Sequence, residues 1–176
     1  GYATKCAVLF FAENPDNGDI YLFAELYVTK MPPETVGSMI SETLGDRVSN
    51  LQGMYTDKRI MIKGEDGTGI STQEKFASVN CFFQLANDDR RQGWHRVREL
   101  LLRKEDGSVK FKVFLSCTNF IRVMPEMIHD HNNPEDLDKK GETHLPDAFR
   151  YFSIMRKVNI ALQRDDAPLY ILNPVT

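Results

Sequence analysis

The chain predicts an α/β domain, a mixed sheet with helices on both faces. Three observations carry that class. Strand-like and helix-like segments alternate in the order hairpin, helix, strand, helix, strand, helix, strand, then helices. Residues 5–12 (KCAVLFFA) are almost continuously apolar, as suits a strand covered on both sides. At 176 residues the chain is one compact domain, long enough to bury roughly two-thirds of its unfolded surface.

After that first strand, residues 13–19 (ENPDNGD) are dense in turn formers. Residues 20–28 (IYLFAELYV) then return as the second strand of an antiparallel hairpin with a longer loop. Met31-Pro32-Pro33-Glu34-Thr35 opens a helix, with proline where a missing N–H costs nothing. Val36, Met39, Ile40 and Leu44 recur at helical spacing, and Gly45 ends the run. Residues 51–56 form a short strand that delivers Asp57 at its carboxyl end, and residues 59–69 read as a loop with weak strand content.

Ser71-Thr72-Gln73-Glu74 is a capping box, in which hydroxyl and carboxylate satisfy each other's backbone donors. It starts a helix reaching residue 79, and residues 81–85 form another short strand. Asn87-Asp88-Asp89 caps a helix with Trp94, Val97, Leu100 and Leu101 on one face and Arg91, His95, Arg98 and Lys104 mostly turned away. Gly107 breaks the chain before residues 109–117 (VKFKVFLSC), a buried-strand pattern. Thr118 or Asn119 caps a short helix bearing Phe120, Val123 and Met124, limited by Pro125. Residues 129–141 are a polar, acidic loop. A last helix spans residues 143–162, with Phe149, Phe152, Ile154, Met155 and Val158 as core candidates. Residues 165–176 receive no element, and the chain holds no repeat, low-complexity tract or linker.

A hydrophobic share of 41% and a charged share of 27% exclude collagen-like, disordered and disulfide-scaffold chains. The longest apolar run is strand-sized, far short of the ~20 residues that cross a bilayer, and nothing marks a signal peptide. Cys6, Cys81 and Cys117 lack metal-ligand spacing and cannot all pair, which points to reduced thiols. A net charge of −3 argues against holding nucleic acid by bulk electrostatics. It leaves room for an enzyme in which metal ions offset a knot of carboxylates.

The best candidate for chemistry is Glu142-Thr143-His144-Leu145-Pro146-Asp147-Ala148-Phe149-Arg150-Tyr151. Pro146 is tolerable only near a helix start, so Thr143 is a natural N-cap and Asp147 falls in the first turns. His144 and Asp147 then share a face, and the helix dipole stabilises a charged carboxylate there, as suits a metal ligand. The residues equally allow Asp147 to complement the dipole only, with His144 an exposed loop residue.

Asp57 is the second candidate, since α/β folds place their sites at the carboxyl ends of strands. Its alternative is a turn aspartate paired with Lys58 or Arg59. The combination matters more than either alone, because two-ion phosphoryl transfer needs carboxylates converging from separate elements. Mg²⁺ wants oxygen ligands, and an added imidazole widens the choice to Mn²⁺.

Glu135, Asp136 and Asp138 either supply another ligand or form a solvated loop. His129, Asp130 and His131 match no zinc spacing. Trp94, at core phase, is packed rather than stacked on a base. Arg90 and Arg91 either meet phosphates or solvate their helix. Gly64 to Gly69 has no GKS or GKT, so no Walker-type phosphate loop is present, nor is a recognisable nucleophilic serine or cysteine motif.

Several stretches, taken in order, resemble the C-terminal nuclease domain of tailed-bacteriophage terminase large subunits. They are Gly1-Tyr2-Ala3 before an apolar strand, GDIYLFAELY (18–27), Tyr55-Thr56-Asp57, TGISTQEKF (68–76), NDDRRQGWHRVRELL (87–101), VFLSCTNFIRVMPEM (113–127), NPEDLD (133–138) and ETHLPDAFRY (142–151). Together they cover most of the chain.

The resemblance implies a ribonuclease H-like fold, with residues 1–176 a single nuclease domain that cuts concatemeric double-stranded viral DNA using a two-ion Mg²⁺ or Mn²⁺ site. By position, Asp57 looks like the family's second catalytic acid, Asp147 like its third, and His144 like a histidine some members place one turn earlier. Lys58, Arg59, Arg90 and Arg91 become candidate DNA contacts. The family's first aspartate lies two residues before the glycine that Gly1 resembles, so the chain reads as truncated at its N-terminus, with the upstream ATPase domain absent. Neither Glu13 nor Asp19 replaces that ligand, because both fall beyond the far end of the first strand. Expected partners are that ATPase domain, the terminase small subunit and the portal, with no membrane, in the host-cell cytoplasm. The alternatives are a non-catalytic DNA- or portal-docking module and another ribonuclease H-like nuclease such as a junction resolvase.

Overall fold

Along the first strand, alternate side chains enter different cores. Ala7, Leu9 and Phe11 face one cluster and Val8 and Phe10 the other, all fully buried. A strand covered on both faces has no wet side, which is why its sequence is apolar without alternation. A computed structural model describes residues 5–63, 68–138 and 141–156, together with the backbone of residues 169–172.

Six strands make one mixed sheet: β1 (Lys5–Glu13), β2 (Ile20–Thr29), β3 (Leu51–Thr56), β4 (Gln84–Leu85), β5 (Phe111–Val113) and β6 (Leu169–Leu172), in the order β4-β3-β6-β1-β2-β5. The hairpin is antiparallel as expected, with a register shift at Phe10/Phe11. β6 runs antiparallel to β1 and parallel to β3. β5 adds to β2 and β4 to β3, both parallel.

Helices α1 (Pro33–Leu44) and α2 (Thr72–Ala77) pack residues such as Val36, Ile40 and Phe76 with Val8 and Phe10. Helices α3 (Arg90–Leu101), α4 (Thr118–Val123) and α5 (His144–Met155) cover the other face. There Phe11 lies flat on Phe152, with ring centroids 3.9 Å apart. Phe111 and Phe120 close on Phe149. The α/β class and the helices on both faces are as the sequence predicts.

Several elements differ from expectation. The 109–117 strand shrinks to three residues, because β5 pairs only with Ile20–Leu22 and its ladder ends at the bond from Phe114 N–H to Leu22 C=O. Beyond it Leu115 is 86% exposed. The 81–85 strand is only Gln84–Leu85, since the Cys81 N–H turns back to Phe76 C=O. α2 keeps the capping box but stops at Ala77. Residues Lys58–Met61 form a 3₁₀ turn where a loop was expected, and Lys63 makes one bridge with Ser71. Leu101 is half exposed rather than packed.

Neither Thr118 nor Asn119 caps α4. Cys117 takes the cap position, and the Glu25 carboxylate from β2 accepts from the Asn119 and Phe120 N–H groups at 2.7 and 2.9 Å. α5 begins where expected and is helical to Met155; the further helical expectation to residue 162, Val158 included, lies outside the described residues. The tail, given no element from sequence, contributes β6. The three cysteines are free, and burial pushes Cys6 up to about 12 and Cys117 to about 11, so neither is a reactive thiolate.

Candidate active site

Asp57 follows the last residue of β3 and caps the 3₁₀ turn, its Oδ1 accepting from the Arg59 N–H at 2.7 Å and from Arg59 Nε at 3.1 Å. Its other oxygen, Oδ2, accepts from the Tyr151 hydroxyl at 2.7 Å. Burial pushes the Asp57 carboxyl up, but the Arg59 N–H, the Tyr151 hydroxyl and the Arg59 guanidinium outweigh it, and the net shift is downward.

Asp147 lies in the first turn of α5, where Thr143 is the N-cap by position and makes no side-chain capping bond. The Asp147 carboxylate is buried. Its Oδ1 accepts from Arg90 Nη1 at 3.0 Å and from Arg150 Nε at 3.1 Å. Tyr151 stands one helical turn after Asp147, so the same face of α5 reaches both acids. The ends of β3 and α5 thus bring Asp57 and Asp147 into one neighbourhood.

His144 opens α5 and is half-buried, with Nδ1 enclosed and, among the described residues, without a hydrogen-bond partner. Burial holds its pKa below the usual histidine value; the Arg59 charge adds to that and the Asp147 charge opposes it. It is no exposed loop residue.

Two more side chains complete the site: Arg150, which received no role from the sequence, and Asp136, read as either a further ligand or a solvated loop residue. Arg150 is 1% exposed, lies over the Tyr151 ring, and leaves Nη1 enclosed with no hydrogen-bond partner among the described residues. Asp136 belongs to the acidic loop yet is buried rather than solvated. It accepts from the Trp94 indole at 2.9 Å and from Arg90 Nε on both oxygens. Burial pushes Asp136 up, but Arg90, the Leu137 N–H and Trp94 bring it down to about 2. Trp94 is packed, as expected. The signal for Tyr151 was its four-residue spacing from Asp147. The acidic loop marked Asp136 as a ligand or a solvated residue, but no local signal showed its burial, because its partners Arg90 and Trp94 come from α3.

The four candidate DNA contacts are all engaged within the chain: Lys58 with Asp88, Arg59 with Asp57, Arg91 with Glu135, and Arg90 with both Asp136 and Asp147. Lys58 and Arg91 are largely exposed, and exposed pairs open at little cost. Arg90 is the more enclosed, with 30% of its side chain exposed. Glu13 pairs with Arg156 and Asp19 with Lys112, both away from Asp57 and Asp147.

By donor type, Asp57, Asp147 and the unpartnered His144 Nδ1 suit a divalent ion such as Mn²⁺. By arrangement they do not. Guanidinium groups already sit on both carboxylates, and among the described residues no three His, Cys, Asp or Glu side chains converge to share an ion.

The chain, a mixed sheet with helices on both faces, has a ribonuclease H-like fold. Among solved structures it is similar to the nuclease domain of g2p, the large terminase of bacteriophage SPP1, determined with bound Mn. Identity is 17%, the match covers 86% of this chain and 78% of that one, and the TM-score is 0.56. At the level of fold, this bears out the resemblance to terminase nuclease domains. No protein-family model matches the chain, and neither does any curated protein sequence. No helix among the described residues is long and apolar enough to cross a membrane.

Proposed function

We propose that the chain is the endonuclease domain of a viral DNA-packaging terminase, hydrolysing phosphodiesters of concatemeric double-stranded DNA with Mg²⁺ or Mn²⁺. The supporting observation is that Asp57, from the end of a strand, and Asp147, from the start of a helix, are tied to one face of α5 through Tyr151. Convergence of acids from separate elements is what this chemistry needs. A divalent ion bound there would supply Lewis-acid stabilisation of the phosphate oxygens. Asp57, Asp147 and His144 Nδ1 are of the right donor type for it, and holding it would require the guanidinium groups on both carboxylates to move. Tyr151 orients Asp57 through its hydroxyl, and Arg150 Nε donates to Asp147 Oδ1. Lys58, Arg59 and Arg91 are the cations available to DNA phosphates once their pairs open. The partners proposed are the terminase ATPase domain in the same chain, the small subunit and the portal, in the host-cell cytoplasm.

Calorimetric titration with Mn²⁺ tests the site. Uptake by the native chain that Asp57→Ala and Asp147→Ala both abolish is the expected result. Undiminished uptake by either variant rejects the assignment.

The guanidinium groups on both carboxylates favour a second reading, a non-catalytic module that docks on DNA or the portal. DNA binding without any Mn²⁺ uptake would establish it.

A further inference from the structure

Glu142, two residues before His144, gathers donors from three elements. Its Oε1 accepts from Lys5 Nζ on β1 at 2.6 Å. Its Oε2 accepts from the Tyr27 hydroxyl on β2 at 3.0 Å and from Arg122 Nη2 on α4 at 3.1 Å. Two cations share one carboxylate, which leaves an excess of one positive charge. Glu25, on the same face of β2 as Tyr27, is already committed to the Asn119 and Phe120 N–H groups. By contrast Lys58, Arg59 and Arg91 each face an acid of their own, Asp88, Asp57 and Glu135. The two cations on Glu142 repel each other, and a bound anion relieves that repulsion. With 40% of the Lys5 side chain and 49% of that of Arg122 exposed, both heads are open to a ligand. Arg122 bonds Glu142 through Nη2, and its planar fork suits phosphate.

The sheet sets this pair beside the acids. β6 is antiparallel to β1 and parallel to β3, so β1 and β3 run in opposite directions. Lys5, at the start of β1, therefore lies at the same end of the sheet as Asp57 and Arg59, which follow the end of β3. Only β6 stands between those two strands, which sets them about 10 Å apart.

We propose that Lys5 and Arg122, gathered by Glu142, form a contact for the phosphodiester backbone of duplex DNA, at the end of the sheet that carries Asp57 and Asp147. It rests on reading DNA as the ligand of this chain, and it needs no metal ion. Glu142 is a positioning residue here, acting through the two cations.

Fluorescence anisotropy with a labelled DNA duplex, in EDTA and across a salt series, tests the contact. Lys5→Gln and Arg122→Gln should each lower the slope of log affinity against log salt by about 1, and together by about 2. Arg122→Lys keeps the charge and should keep the native slope. Lys104→Gln with Lys110→Gln removes the same charge from exposed residues just before β5. β5 begins opposite Ile20, at the other end of the sheet, so that pair should leave the slope unchanged. A native slope in the Lys5→Gln, Arg122→Gln double variant overturns the contact. An equal fall in the Lys104→Gln, Lys110→Gln control also overturns it, as a general effect of charge. Should the double variant not fold, the two single variants decide by the same measure. A native chain that leaves the duplex unbound even at low salt rejects the DNA reading and this contact with it. Binding that keeps its slope in the double variant fails the contact alone.

Discussion

The Tyr151 hydroxyl donates to Asp57 Oδ2 at 2.7 Å, joining the last helix to the residue that follows β3. Burial pushes the Tyr151 pKa well up, and its bond to Asp57 adds to that, so the phenol stays protonated as a donor. Tyr151→Phe removes one of the groups that lower the Asp57 pKa. We expect that pKa to rise, and stability to fall by about 1–2 kcal/mol, as for loss of a bond to a charged acceptor. A carboxyl NMR titration reads the first and urea melts the second. An unmoved Asp57 titration would show the contact to be incidental.

Gly93 lets α3 and α5 approach. A Cβ there would stand 2.5 Å from Arg150 Cγ and 3.0 Å from Cδ, the inner part of a buried side chain that holds Asp147. Alanine favours an isolated helix by ~1 kcal/mol over glycine, whereas overpacking costs ~1–3 kcal/mol. Overpacking should win, and Gly93→Ala should lose about 1 kcal/mol in denaturant melts. A stabilised variant would mean that the two helices are free to separate.

Acid should weaken the native state through Asp136. Its carboxyl lies at about 2 when folded, against an unperturbed 3.8. A lowered folded value gives stability that is present above pH 3.8 and lost as pH falls towards 2. At ~1.4 kcal/mol per pKa unit this amounts to about 2 kcal/mol. Glu142, bonded by Lys5 and also brought to about 2, loses stability in an overlapping range. Unfolding free energies from pH 5 to 2 should therefore decline less steeply in Asp136→Asn than in the native chain, with the Glu142 share remaining in both. Equal slopes would remove the Arg90–Asp136 pair from the acid response.

What the sequence revealed, and what it hid, divides along local and long-range interactions. The capping box at Ser71–Glu74, the prolines opening α1 and the apolar run of β1 are local signals, and each element stands where it was read. Asp57 at the end of β3 and Asp147 in the first turn of α5 were legible for the same reason. The cap of α4 was not, because it comes from Glu25, on β2. Nor was the burial of Asp136, whose partners Trp94 and Arg90 sit on α3. The 109–117 run looked like a long strand because Phe114 and Leu115 are apolar, yet an edge strand can extend only as far as its single partner allows.

His144 offers the most direct test of how charges are arranged around α5. Burial lowers its pKa, the positive charge of Arg59 lowers it further, and the negative charge of Asp147 raises it. A histidine held below its unperturbed 6.5 favours the native state above that pH and opposes it as pH falls. The imidazole should therefore titrate below 6.5 by NMR. Neighbouring charges should then move it with opposite signs. Arg59→Gln removes a repelling cation from an exposed side chain and should raise the midpoint. Asp147→Asn removes the attracting carboxylate and should lower it. Both shifts require His144 to lie within the field of Arg59, which sits on Asp57, and of Asp147 at once. If neither substitution moves the midpoint, the ends of β3 and α5 do not form one electrostatic site.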